Sequence, residues 1–172
     1  ELPFESVVVT GVAYDKGEAR VQRVGVDDRP GGVAEIFGLL ADENVSVDMI
    51  IQNAPSDAPS SRVSAPGRES KTDVAFTVAK TDLLRTKAIM DKVASQVGAL
   101  GVRYDEEIVK VSIVGLGMRS HAGVAAKMFR ILADEGINVQ AISTSEIKVS
   151  VLMATKYAEL AVRALHDGFG LG

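Results

Sequence analysis

Asp28-Arg29-Pro30-Gly31-Gly32-Val33 sets two glycines directly behind a proline turn, at the start of an expected helix. Glycine strips side-chain bulk from the first helical turn, so its unpaired backbone N–H groups can reach an anion, and a carboxylate suits them. Asp28 beside this turn can accept hydrogen bonds from an ammonium group. An anion site next to a cation site is what an α-amino acid requires. The same residues also serve as a plain helix cap and a tight turn. They do not stand alone. Ser46, Asp48, Gln52 and Asn53 follow in the first half of the chain, and Asn138, Gln140, Ser143, Thr144, Ser145 and Glu146 in the second. Asn and Gln both donate and accept, which suits the reading of a small polar ligand.

Residues for catalysis are scarce. The two histidines, His121 and His166, fall in no metal-ligand spacing, and the chain has no cysteine. Neither a metal nor a disulfide is expected. No nucleophile elbow or phosphate-binding loop occurs. Gly115-Leu116-Gly117 follows an expected strand, but Ser120 stands where a dinucleotide fingerprint needs its third glycine. A tight strand-to-helix turn explains those glycines, so no cofactor is expected. A small acyl-phosphate hydrolase would need an arginine phosphate cradle with an asparagine placing water, and Arg23, Arg29 and Asn44 form no convincing set.

The elements that position the polar residues come as a repeat. Residues 31–53 read GGVAEIFGLLADENVSVDMIIQN, and residues 123–145 read GVAAKMFRILADEGINVQAISTS. Laying Gly31 on Gly123 matches Ala34 to Ala126, Phe37 to Phe129, and the whole of Leu40-Ala41-Asp42-Glu43 to Leu132-Ala133-Asp134-Glu135. Position 46 then falls on 138, and 52 on 144. Two copies of one unit follow. Each copy opens with an apolar strand (18–26, 108–116). A helix comes next, with Val33, Ile36, Phe37 and Leu40 or Ala125, Met128, Phe129 and Leu132 at helical spacing. Strands at 45–51 and 72–78, or 137–143 and 147–153, precede a second helix, 82–97 or 156–167. The first copy closes with a strand at 101–105. Its order is βαββαβ, the ferredoxin-like order.

The second copy ends after its helix and lacks a closing strand, while 6–14 (SVVVTGVAY) is a strand without a place in the first copy. The expected fold is therefore α+β, two ferredoxin-like domains in tandem. The first covers 15–106. The second covers 107–172 plus strand 6–14, which completes its sheet. Residues 54–71 hold three of the five prolines and no apolar period, and read as a disordered loop.

Composition narrows the function. The 172 residues are 47% hydrophobic and 24% charged, with a net charge of −4 and no tryptophan. That balance excludes a nucleic-acid footprint. No run reaches the ~18 apolar residues of a membrane helix, and no secretory signal opens the chain. The expected setting is cytoplasmic.

The runs VGVDDRPG, LADENVSVDMIIQN, VGLGMRSHAGV and, most specifically, GINVQAISTSEIKVSVL closely resemble the tandem ACT domains of aspartate kinases. The likeness covers nearly the whole chain except 54–71. The kinase's lysine-containing, glycine-rich catalytic start is not found in it. The resemblance thus implies the regulatory (beta) subunit of a two-subunit aspartate kinase, or an excised regulatory region, with no catalytic activity of its own. It implies a feedback sensor of threonine, with lysine acting alone or in concert. Implied partners are the catalytic (alpha) subunit and a second copy paired through the ACT domains.

By the same resemblance the effector is held by Asp28, Arg29, Pro30, Gly31, Gly32 and Val33, and by Ser46, Val47, Asp48 and Gln52 on the next strand. From the second repeat come Val124, Ala125, Asn138, Val139, Ser145 and Glu146. The family often has asparagine at the position of Ser46 and proline at that of Ala122, so this chain has a shorter hydrogen-bonding arm at 46. An ACT regulator of another pathway, sensing valine or serine, is the competing expectation.

Overall fold

The computed structural model describes residues 9–27, 32–53, 71–97, 101–115 and 122–171. They form two compact units. The continuous unit spans Gly17–Glu106, and the split unit combines the chain up to Lys16 with everything from Glu107 onward.

In the continuous unit the elements run β2 (Glu18–Asp27), α1 (Gly32–Asp42), β3 (Val47–Asn53), β4 (Lys71–Ala79), α2 (Leu83–Val97) and β5 (Gly101–Asp105). Its antiparallel sheet has the order β3-β4-β2-β5. Strand alternation sends Ala19, Val21, Val74, Phe76 and Val78 to one face, where Ile36 and Leu40 of α1 and Ile89, Met90 and Val93 of α2 close the core. Phe37 meets Phe76 edge-on, ring centroids 5.5 Å apart.

The split unit repeats this plan with β6 (Ile108–Gly115), α3 (Ala122–Asp134), β7 (Ala141–Thr144), β8 (Lys148–Ala154) and α4 (Ala158–Gly168). Its fourth strand is β1 (Val9–Asp15), antiparallel to β6, and the sheet order is β1-β6-β8-β7. The N-terminal strand thus completes the second sheet. Val109, Val111, Ile113, Val149, Val151 and Met153 pack against Val124, Met128 and Leu132 of α3 and Ala161 and Leu165 of α4. Ser112 and Ser150, paired across β6 and β8, share a buried hydrogen bond of 2.7 Å.

The repeat extends to the helix ends. Asn44 and Gly136 both adopt positive φ, 58° and 72°. In each, the next residue's N–H reaches back to the helix: Val45 to the Leu40 carbonyl at 2.9 Å, and Ile137 to Leu132 at 3.0 Å. This is a left-handed C-terminal cap in both copies.

Several expected bounds shift. Residues 137–140 lie outside β7, because the Ile137 N–H is spent on the helix cap and Gln140 N–H alone bonds Leu152. β3 starts at 47 rather than 45 and runs to 53. Asp15, expected in the first domain, pairs with Lys110 at the end of β1. Lys71, expected in the loop, opens β4, while 54–70 and 6–8 lie outside the described residues.

Candidate functional site

In the continuous unit, Asp28, Arg29, Pro30 and Gly31 lie outside the described residues; Gly32 and Val33 form the start of α1. β3 is an edge strand. Because both pair antiparallel with β4, β2 and β3 run in the same direction. The C-terminal end of β3, with Gln52 opposite Val74, therefore lies at the end of the sheet where β2 delivers the chain into α1. Ser46, Val47 and Asp48 lie at the other end. There the ladder bulges between Val47 and Ile50, and the Met49 N–H donates to Thr77 Oγ1 at 3.0 Å. Five residues of strand, ~17 Å at ~3.4 Å each, separate 47 from 52. One amino acid cannot touch both.

The split unit repeats the separation. Val124 and Ala125 lie in the first turns of α3, and Val124 is 1% exposed, so only its backbone is open to a ligand. The β7–β8 turn sits at the same end of the sheet, since Gly115 N–H, ending β6, donates to the Ile147 carbonyl at 2.8 Å. In that turn Ser145 Oγ accepts from Lys148 N–H at 3.2 Å and Ile147 N–H at 3.4 Å. Its hydroxyl is committed to closing the turn, and Glu146 beside it is exposed. Asn138, exposed, and Val139, packed on the core, precede β7 at the opposite end. Both units thus hold two half-sets at opposite ends of an edge strand, and each edge exposes an isoleucine at the same repeat position, Ile50 at 58% and Ile142 at 54%.

His121 lies outside the described residues, and His166 is in the last turn of α4. Among the described residues no three His, Cys, Asp or Glu side chains gather as a metal site would need, and no helix is long and apolar enough to cross a membrane. Tyr104 is pushed above its ordinary value of 10.0, chiefly by burial and then by the Asp91 carboxylate.

One repeat escaped the sequence reading. β1 carries Gly11-Val12-Ala13-Tyr14-Asp15 and β5 carries Gly101-Val102-Arg103-Tyr104-Asp105. Tyr14 sits opposite Val111, and Tyr104 opposite Val21. The shared GVxYD run marks the two strands as equivalents and could have placed β1 from sequence alone.

ACT-domain models match residues 23–98 and 111–169. With two such units in one chain, this is a tandem ACT-domain protein. Its particular kin are narrower. The regulatory subunit of aspartate kinase from Thermus thermophilus, in its ligand-free form, is 38% identical and superposes with a TM-score of 0.82 over 94% of this chain and 99% of that one. A structure of aspartokinase alpha and beta subunits is 51% identical, with a TM-score of 0.80 and coverage of 94% and 99%. Aspartokinase of Helicobacter pylori is 50% identical over 168 residues, 98% of this chain but 38% of its own length. The chain belongs to the aspartate kinase family and corresponds to its regulatory ACT region. It spans about two fifths of the length of the curated relatives it matches.

Proposed function

We propose that this chain is the effector-sensing part of an aspartate kinase, and that it binds threonine, with lysine acting alone or in concert, where two ACT units meet. The observation that carries this reading is the double half-set. Each unit places a glycine- or small-residue helix start beside one end of its edge strand, together with Gln52 or with Ser145 and Glu146, and sets Ser46, Val47 and Asp48 or Asn138 and Val139 at the other end, beyond the reach of one amino acid. Pairing two units edge to edge gives each helix start the complementary strand residues of a neighbour. Ile50 and Ile142 then leave water, and the open backbone groups of β3 or β7 find partners. The helix start takes the carboxylate; Asp28 takes the ammonium.

The catalytic (alpha) subunit is the partner such a sensor acts on, and two copies of the chain form the effector-bound dimer. An effector shifts the enzyme only by its differential affinity for two arrangements of that dimer. Feedback control of aspartate-family amino-acid synthesis is the consequence.

A thermal-shift screen of the purified chain against the common amino acids tests the reading. At ~100 times Kd a ligand adds about 2.7 kcal/mol, a rise of about 5–11 °C for a chain of this size. Threonine or lysine is expected to produce it selectively, and Gln52→Ala or Asn138→Ala to diminish it without unfolding the chain. A response to valine or serine instead would keep the fold and move the pathway.

A further inference from the structure

The two units differ most where the edge strand faces the last helix. In the continuous unit Tyr104 packs on the core, its hydroxyl oxygen is buried, and Lys87 Nζ of α2 lies 5.1 Å from the ring centroid. The two helices are in register, since Ala79 pairs with Glu18 and Ala154 with Ile108 at equivalent ends of their sheets. In the split unit Val162 therefore replaces Lys87, and His166 replaces Asp91. Tyr14 is 59% exposed, and a cavity of about 560 Å³ opens between it and α4.

Its walls carry a balanced set of charges. Lys16 enters from the end of β1, its Nζ 5.8 Å from the Tyr14 centroid, while Arg163 stands on α4 between Glu159 and Asp167. Tyr14 and Val162 supply the apolar surface. Among the described residues the side chains of Arg163, Glu159 and Asp167 make no ion pair or hydrogen bond with one another or with a neighbour. One ammonium, one guanidinium and two carboxylates therefore line a single groove beside aromatic and aliphatic surface, in a volume within the range of small-molecule sites.

We propose that this groove is a second ligand site, taking a zwitterion with an apolar body, namely an aliphatic or aromatic α-amino acid. A ligand with net charge would leave one half of the set unanswered. A zwitterion answers both: the guanidinium of Arg163 takes the carboxylate with two parallel N–H bonds, Lys16 adds a point charge, and Glu159 or Asp167 takes the ammonium. The body lies on Tyr14 and Val162. Among the described residues, none of those assigned above to the effector lines this groove.

The test is an NMR titration of the whole chain with labelled histidine, using L-phenylalanine as probe. 3-Phenylpropionate and phenethylamine each retain the ring and one charge. His166 lines the groove and is the reporter. L-Phenylalanine is expected to shift the His166 ring signal saturably, with either half-charged analogue about tenfold weaker, the size of one lost charged hydrogen bond. Arg163→Gln is expected to weaken phenylalanine about tenfold as well and to leave any response to threonine in place. Tyr14→Ala provides a second variant at an exposed position. No saturable shift at His166, equal responses to all three probes, or a response that survives both substitutions would overturn the proposal.

Discussion

The continuous and split units share strand order, helix placement and helix caps, yet they close the same sheet with different material. The continuous unit uses aromatic bulk: Phe76 and Phe37 meet in its core, and Tyr104 folds down beneath Lys87. The split unit has Val151 where the other has Phe76, a buried serine pair where the other has Gln22 opposite Ala75, and an outward Tyr14. One backbone plan therefore tolerates two quite different fillings, and the plan is carried by alternation and helix spacing rather than by particular side chains.

The largest expected break in the comparison is Phe76→Ala, which removes a fully buried ring and its edge-on contact with Phe37. A loss of about 3–5 kcal/mol is expected. Val151→Ala, at the matching position, is expected to cost only about 2 kcal/mol. Hydrogen exchange read separately in 17–106 and 107–171 checks both; equal losses would contradict the unequal filling.

Next in size is the serine pair. Ser150→Ala makes the split unit resemble the continuous one at that position, but it strands the Ser112 hydroxyl in a buried place, at about 1–3 kcal/mol. Replacing both serines by alanine is expected to cost less than the sum of the single losses. Denaturant unfolding of the single and double variants measures this, and strict additivity would mean that the hydroxyls do not depend on each other.

The caps come next. Gly136→Ala places a Cβ in the left-handed region and should cost about 1–2 kcal/mol, whereas Asn44→Gly should change stability by only a few tenths, since asparagine already tolerates that conformation. Thermal unfolding distinguishes them.

The smallest effect is electrostatic. Burial is the first cause of the raised Tyr104 value and Asp91 the second, so Asp91→Asn should lower the phenol's pKa while leaving it above 10.0, as NMR of its ring carbon would show. Because the folded phenol holds its proton longer than the unfolded one, it contributes stability below pH ~10 that is lost as pH rises through the folded value.

Much of this was legible in the sequence. The matched LADE runs and their flanking apolar spacing located α1 and α3. The surplus SVVVTGVAY strand, set against a copy that lacked one, led to the completed second sheet. Residues 137–140 misled because Ile137 and Val139 alternate as a strand would, whereas the backbone there belongs to a helix cap. Ser145 looked like a ligand group because a hydroxyl in a sequence carries no sign of which backbone amides it already serves. That the candidate residues divide between the two ends of each edge strand follows from strand direction and pairing, which single positions do not encode.

The strand β1 also sets an order of events. During synthesis its partner β6 emerges only after the entire continuous unit, so Val9–Asp15 has no mate until that unit is made. Folding of the continuous unit then changes the problem. It clamps its own two ends together, Arg20 opposite Asp105 with their side chains 3.7 Å apart, and so brings Lys16 and Glu107 close in space. A closure that would be long for an open chain becomes short, and its entropic cost falls accordingly. The continuous unit acts as a splint for its neighbour: joining Lys16 directly to Glu107 should leave a split unit that folds alone, while loosening the middle unit should delay both.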